Sequence, residues 1–102
     1  MDTPILIDVW TVDPSRKAEL AGAISEGIRN VIVGHRGFVS AQRYESTSGD
    51  AMMVTIRMRT IEERQELMDS PAAHGLVREL EAIAHSHLRL FQLVETFGEP
   101  GV

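Results

Sequence analysis

The run Ile5-Leu6-Ile7-Asp8-Val9-Trp10-Thr11-Val12 is apolar on both of its alternating sides apart from a single carboxylate. Its β-branched and aromatic residues, with Pro4 before it and Asp13-Pro14 after it, read as a strand bounded by turns. A strand of this kind is buried on both faces, so the chain must place other strands beside it and a cover over each side. With 102 residues there is room for one core, and the whole chain, 1–102, reads as one domain.

The remaining elements follow from local signals. Asp13 can cap a helix that Pro14 opens, and Leu20, Ile24, Ile28, Val31 and Ile32 recur at helical spacing until Gly34 stops it. Gly37 opens a second strand, Phe38 to about Thr47, and Ser48-Gly49-Asp50 turns the chain into a third, Ala51 to Arg59. Thr60 with Glu63 forms a capping box for a short helix from Ile61 to near Asp69, and Ser70-Pro71 starts the next, from about Ala72 to His85. Leu88 to Phe97 reads as a last strand, and Glu99 to Val102 as a tail. The order β-α-β-β-α-β predicts an α+β, ferredoxin-like split βαβ sandwich, an antiparallel sheet with helices on one face.

Alternation in the third strand separates Met52, Val54, Ile56 and Met58 from Met53, Thr55, Arg57 and Arg59, and the wholly apolar set should face the helices. The other face is still too apolar for water, because the first and last strands carry apolar residues on both sides. A second copy of the chain is therefore expected to cover it, giving a homodimer.

Composition excludes several classes of function. Ten basic against fifteen acidic residues leave a net charge of -5, which repels nucleic acid and anionic membrane surfaces. No cysteine is present, which removes disulfides, thiol nucleophiles, iron–sulfur ligation and thiolate zinc sites. His85-Ser86-His87 is poorly spaced for a shared metal on a helix, and the glycines form no phosphate-binding loop; Gly22 and Gly27 lie within the first helix, where close packing accounts for them. No metal and no cofactor are expected. No stretch approaches the roughly 20 apolar residues of a membrane span, and the acidic N-terminus lacks a targeting signature, so the expected location is cytoplasmic.

Asp8 shares its side of the strand with Leu6, Trp10 and Val12. An unpaired carboxylate there costs free energy or takes a raised pKa, so it needs either an Arg across the sheet or a chemical task. A base of that kind could remove a phenolic proton. Trp10 can be core or can stack on a planar ligand. Tyr44, beside Ser40 and Gln42, can donate into a cleft or sit at a sheet edge. His74, Arg78 and His85 share a helical stripe with Glu81 and Ala82, from which Arg78 could stabilise a phenolate and His74 could relay protons. Met52, Met53, Met58 and Met68 are adaptable filler that would also suit a flat, greasy substrate.

The first strand ending VDP, the stretch GFVSAQRYEST, R-x-x-E-E before a helix, SPAAH opening the next and the closing LRLFQLVETFG together resemble the antibiotic biosynthesis monooxygenase family of dimeric α/β barrels. The resemblance covers nearly the whole chain. It implies a cofactor-independent monooxygenase that oxidises a phenolic, quinol or aromatic polyketide substrate with dioxygen. It points Tyr44 and Arg78 into the cleft; with the reading of the residues themselves, Asp8, Tyr44, His74 and Arg78 are the expected catalytic residues and Trp10, Met52, Val54 and Met58 the expected substrate contacts. The chain departs from the family's pattern where Val54 and Met58 replace the Asn and Trp of the polyketide oxygenases, and where Arg36 replaces the Pro before Gly-Phe. In haem-degrading members a first-strand Asn corresponds to Asp8 and a helix His falls near Leu76 or Val77, so haem ligation is not expected. The missing Asn and Trp favour an alternative, a non-oxygenase dimer that binds or cyclises an aromatic polyketide-like molecule.

Overall fold

The computed structural model describes residues 3–98, in the order β1 (Thr3–Thr11), α1 (Lys17–Gly27), β2 (Phe38–Glu45), β3 (Ala51–Met58), α2 (Ile61–Asp69), α3 (Pro71–Glu81) and β4 (His85–Leu93). The expected tail, 99–102, lies outside the described residues. All strand pairs are antiparallel and the sheet runs β2-β3-β1-β4, the α+β ferredoxin-like arrangement. Among the described residues no helix is long and apolar enough to cross a membrane.

Alternation places one side of the sheet under the helices. Leu6, Asp8 and Trp10 of β1 and Met52, Val54, Ile56 and Met58 of β3 are buried there against Leu20 and Ile24 of α1, Leu67 of α2 and Leu80 of α3. The other side is not buried within one chain: Ile5, Ile7 and Met53 are half-buried and Val9 is 37% exposed. Burial of both faces of β1, expected from its composition, is therefore met on the helix side alone, because all three helices pack on that side.

Local chemistry sets the helix starts. Asp13 accepts from the Ser15 backbone N–H at 2.9 Å before a 3-10 turn, Pro14–Arg16, that leads into α1. Thr60 accepts from the Glu63 N–H at 3.1 Å and donates to its carboxylate at 2.9 Å, the reciprocal cap read from the sequence. Ser70 accepts from the Ala73 N–H, with Pro71 in the first turn of α3. Gly37 has φ +84°, and a Cβ there would lie 2.5–2.7 Å from the Glu63 side chain. That carboxylate is held in turn by Arg59, 2.5 Å away, which keeps it below the usual carboxylate range.

Several boundaries differ from the sequence reading. α3 ends at Glu81 and β4 begins at His85, because the Leu80 carbonyl accepts from both Ile83 and Ala84 and closes the helix. Pairing of His85 with Thr11 and His87 with Val9 then extends the chain that was expected to stay helical. β2 stops at Glu45, and β4 stops at Leu93 rather than Phe97, leaving Val94 and Phe97 exposed. Arg64, which the sequence did not single out, is buried, and its guanidinium donates to the carbonyls of Ile5 (3.1 Å) and Phe91 (2.9 Å), tying α2 to the β1–β4 seam.

The two mid-helix glycines differ. A Cβ on Gly27 would overlap Leu76 of α3, whereas nothing lies within 4 Å of one on Gly22. The close-packing explanation thus holds for Gly27 and not for Gly22. Gly22→Ala is predicted to raise stability by about 0.5–1 kcal/mol through helix propensity, and Gly27→Ala to lower it by forcing α1 and α3 apart. Urea denaturation of the pair checks this, and equal shifts of the same sign would contradict it.

Candidate active site

A cleft of about 440 Å³ opens between the helix side of the sheet and the three helices, within the roughly 300–1,000 Å³ of small-molecule sites. Leu6, Asp8, Trp10, Val54, Ile56 and Leu88 form its floor. Ile24, Ile28 and Ile32 form one wall. Successive residues four apart on an α-helix drift by about 40°, but α1 continues into a wider π-helical turn, Ile28–Ile32, closed by Val33 N–H donating to the Ile28 carbonyl at 2.9 Å. That turn rotates Ile32 back over the cleft. Opposite, α3 contributes Leu76 and Leu80 at depth and the exposed His74, Val77, Arg78 and Glu81 towards the mouth.

Asp8 is the buried polar group of this floor, with 8% of its surface exposed. Ser86 Oγ donates to its Oδ1 at 2.6 Å. Burial among apolar side chains pushes the carboxyl above the usual carboxylate range; the Ser86 hydroxyl opposes this, the Glu81 charge adds to it, and His87 lowers it through the sheet. The Arg partner considered from the sequence does not reach Asp8. Arg57 pairs in register with Ile5 on the opposite face, and Arg59 engages Glu63.

Asp8, Trp10, His74, Arg78 and Val54 come together in the cleft. Tyr44 does not join them: it pairs with Met53 on the helix-free face, at the β2 edge, 48% exposed. Met52 and Met58 do point towards the helices but are fully buried in the core, outside the cleft lining. His85 is not on the α3 stripe; it stands on β4 with His87, both on the helix-free face, while Ser86 between them faces Asp8. Ser86 and Glu81 are the polar groups the sequence reading passed over. The signal for Ser86 was present, since an extended His85-Ser86-His87 puts the serine on the side of Leu88. Among the described residues no three His, Asp or Glu side chains are arranged to hold a metal ion.

The fold and the cleft define a ferredoxin-like α+β protein with an apolar cleft between sheet and helices. The same fold is found in several solved structures. The cofactor-independent oxygenase SnoaB of Streptomyces nogalater superposes with a TM-score of 0.74 at 16% identity, covering 97% of this chain and 100% of that one. A proposed antibiotic biosynthesis monooxygenase of Caulobacter crescentus gives 0.78 at 11% identity over 91% of both chains. A conserved Bacteroides thetaiotaomicron protein described as a possible oxidoreductase gives 0.76 at 16% identity, covering 89% of this chain and 98% of that one. At these identities the shared property is the fold. No family model and no curated protein matches the chain by sequence.

Because burial raises the Asp8 pKa in the folded protein, its contribution to stability is full below the ordinary Asp value of about 3.9 and is lost as pH rises through the raised value. Asp8→Asn should therefore be more stable than the wild type at pH 7.5, with the difference closing as pH falls below about 4. Chemical denaturation across pH checks this; a less stable Asp8→Asn at neutral pH would show a stabilising charge pair instead.

Proposed function

We propose that this chain is a cofactor-independent monooxygenase acting on a small aromatic molecule that carries a phenolic or quinol hydroxyl, with dioxygen as co-substrate. The observation carrying this reading is a buried carboxyl with raised proton affinity on the floor of an apolar cleft whose mouth holds Arg78. Arg78 forms no ion pair among the described residues, so its guanidinium is available to an anionic oxygen. The fold shared with a cofactor-independent oxygenase supports the same reading.

In this mechanism the Asp8 carboxylate removes the substrate's hydroxyl proton, and Arg78 stabilises the resulting phenolate. The electron-rich ring transfers one electron to dioxygen, and the two radicals combine at a ring carbon to form a hydroperoxide. Loss of water then leaves a carbonyl. For a phenol the balance is substrate plus dioxygen to quinone plus water: one oxygen atom ends on the ring, and the other leaves with the ring C–H and O–H hydrogens. Trp10 offers a flat face beside Asp8, and the isoleucine wall excludes water from the reactive ring.

A second reading is favoured by Val54. This floor position is apolar where the resemblance expects Asn, so the cleft lacks an amide aimed at the substrate. A dimer that binds or cyclises an aromatic polyketide-like molecule without oxygen uses the same cleft and the same base.

The helix-free face is assigned to a second copy. Val9, Met53 and Leu93 present an apolar surface there, and Phe91 beside them is 45% exposed. A stable pair should bury well over about 1,000 Å² in total. Sedimentation at micromolar concentration should give twice the 11.3 kDa chain mass, and a persistent monomer would contradict the assignment.

Oxygen uptake by metal-free protein with a panel of anthrones, naphthols and hydroquinones tests the activity. Asp8→Asn should cut turnover by about 10²- to 10⁴-fold, and Arg78→Ala should cost about 1.5–3 kcal/mol in kcat/KM. Tight binding of a panel member without oxygen consumption would favour the second reading.

A further inference from the structure

Most exposed or partly exposed carboxylates near a cation on this chain are already paired: Glu19 with Arg16, Glu45 with Arg43 and Lys17, Glu66 with Arg36, and Glu63 with Arg59 and Arg36. Asp8 and Glu81 have no ion pair among the described residues, and both line the cleft. Glu81 ends the stripe His74, Arg78, Glu81, spaced i, i+4, i+7 on α3, so the three side chains project along one edge of the mouth. Its backbone is held in place. The Leu80 carbonyl closes the helix end, and Arg16 donates to the Ala82 carbonyl at 3.2 Å.

We propose that Glu81 is the partner carboxylate of Asp8, a positioning residue at the cleft mouth that makes Asp8 the stronger base and returns its proton to water. This inference rests on the reading of Asp8 as the base. Two carboxylates in one apolar cleft cannot both ionise cheaply, and their surroundings divide the roles. Glu81 is exposed at the mouth, whereas Asp8 is buried on the floor, where burial raises its affinity for a proton. The groups facing Asp8 from each neighbouring element support this division. α1 and β3 present Ile24, Ile28 and Val54, which carry no charge. β4 presents the Ser86 hydroxyl, with His87 behind the sheet, and α3 presents His74, Arg78 and Glu81. Glu81 is thus the acidic side chain that shares the cleft with Asp8, and its charge adds to burial in pushing the Asp8 carboxyl up.

The step is a proton transfer and moves no electrons. The substrate O–H bond breaks, its proton forms an O–H bond on Asp8, and the electron pair stays on the substrate oxygen. Before the next turnover that proton must leave. The sheet closes the floor and Ser86 already donates to Asp8, so the open direction is towards the mouth. There a bridging water can carry the proton to the Glu81 carboxylate and on to bulk solvent.

The test is a ¹³C NMR titration of the Asp8 side-chain carboxyl in substrate-free wild type, Glu81→Gln and Glu81→Asp. The Asp8 midpoint should move down in Glu81→Gln and stay close to wild type in Glu81→Asp. With an active substrate, the acid limb of kcat/KM should shift to lower pH in Glu81→Gln, with KM changed less than about twofold, since the ground-state contacts are intact. An Asp8 midpoint that is the same in all three proteins overturns the pairing. The titration needs no turnover, so it stands or falls separately from the oxygenase reading, which fails instead if the wild type consumes no oxygen with any member of the panel.

Discussion

One hydrogen bond, from Ser86 to Asp8, sets the terms for the rest of the site. A carboxyl on the helix side of a central strand is surrounded by side chains that cannot solvate it. The hydroxyl that reaches it comes from β4, and it can do so because α3 closes at Leu80 and the chain enters the sheet at His85. An α3 longer by one turn would carry Ser86 away from the sheet and leave the carboxylate without a partner. The early helix end and the buried acid are two sides of one arrangement.

That arrangement also explains why the cleft is polar at both ends of its depth and apolar between them. The floor carries Asp8, the mouth carries His74, Arg78 and Glu81, and the isoleucines of α1 with the leucines of α3 separate them. The π-helical turn keeps Ile32 in that wall. The apolar middle lowers the local dielectric, so that the few charges present act strongly on one another. The one-sided coat of helices has a second consequence, because it leaves Val9 and Phe91 exposed on the bare face.

Much of the fold was legible in local pattern. Strict alternation in β3 assigned Met52, Val54, Ile56 and Met58 to the helix side, and the Thr60–Glu63 cap marked the start of α2. The direction of Asp8 and Trp10 followed from the same period of two. What was not legible depended on tertiary contacts. Whether Ala82 to His87 is helix or strand is decided by pairing with β1, so Ser86 and the placement of His85 were missed. Tyr44 was aimed at the cleft by resemblance, whereas its register with Met53 sends it to the other face. Met52 and Met58 have the expected direction, but the helices pack directly on them and the cleft opens over the middle of the sheet. Arg64 looks like any surface arginine in sequence, and its burial depends on two carbonyls far away along the chain.

The central claim is that the buried acid and the cleft form one site for an aromatic hydroxyl. A crystal structure with 1-naphthol bound tests it most directly. The account predicts the ring between the isoleucine wall and the sheet, with its hydroxyl about 2.6–3.2 Å from the Asp8 carboxyl, the reach of a general base. A ligand seated elsewhere, or bound in the cleft with its hydroxyl turned away from Asp8, would contradict it.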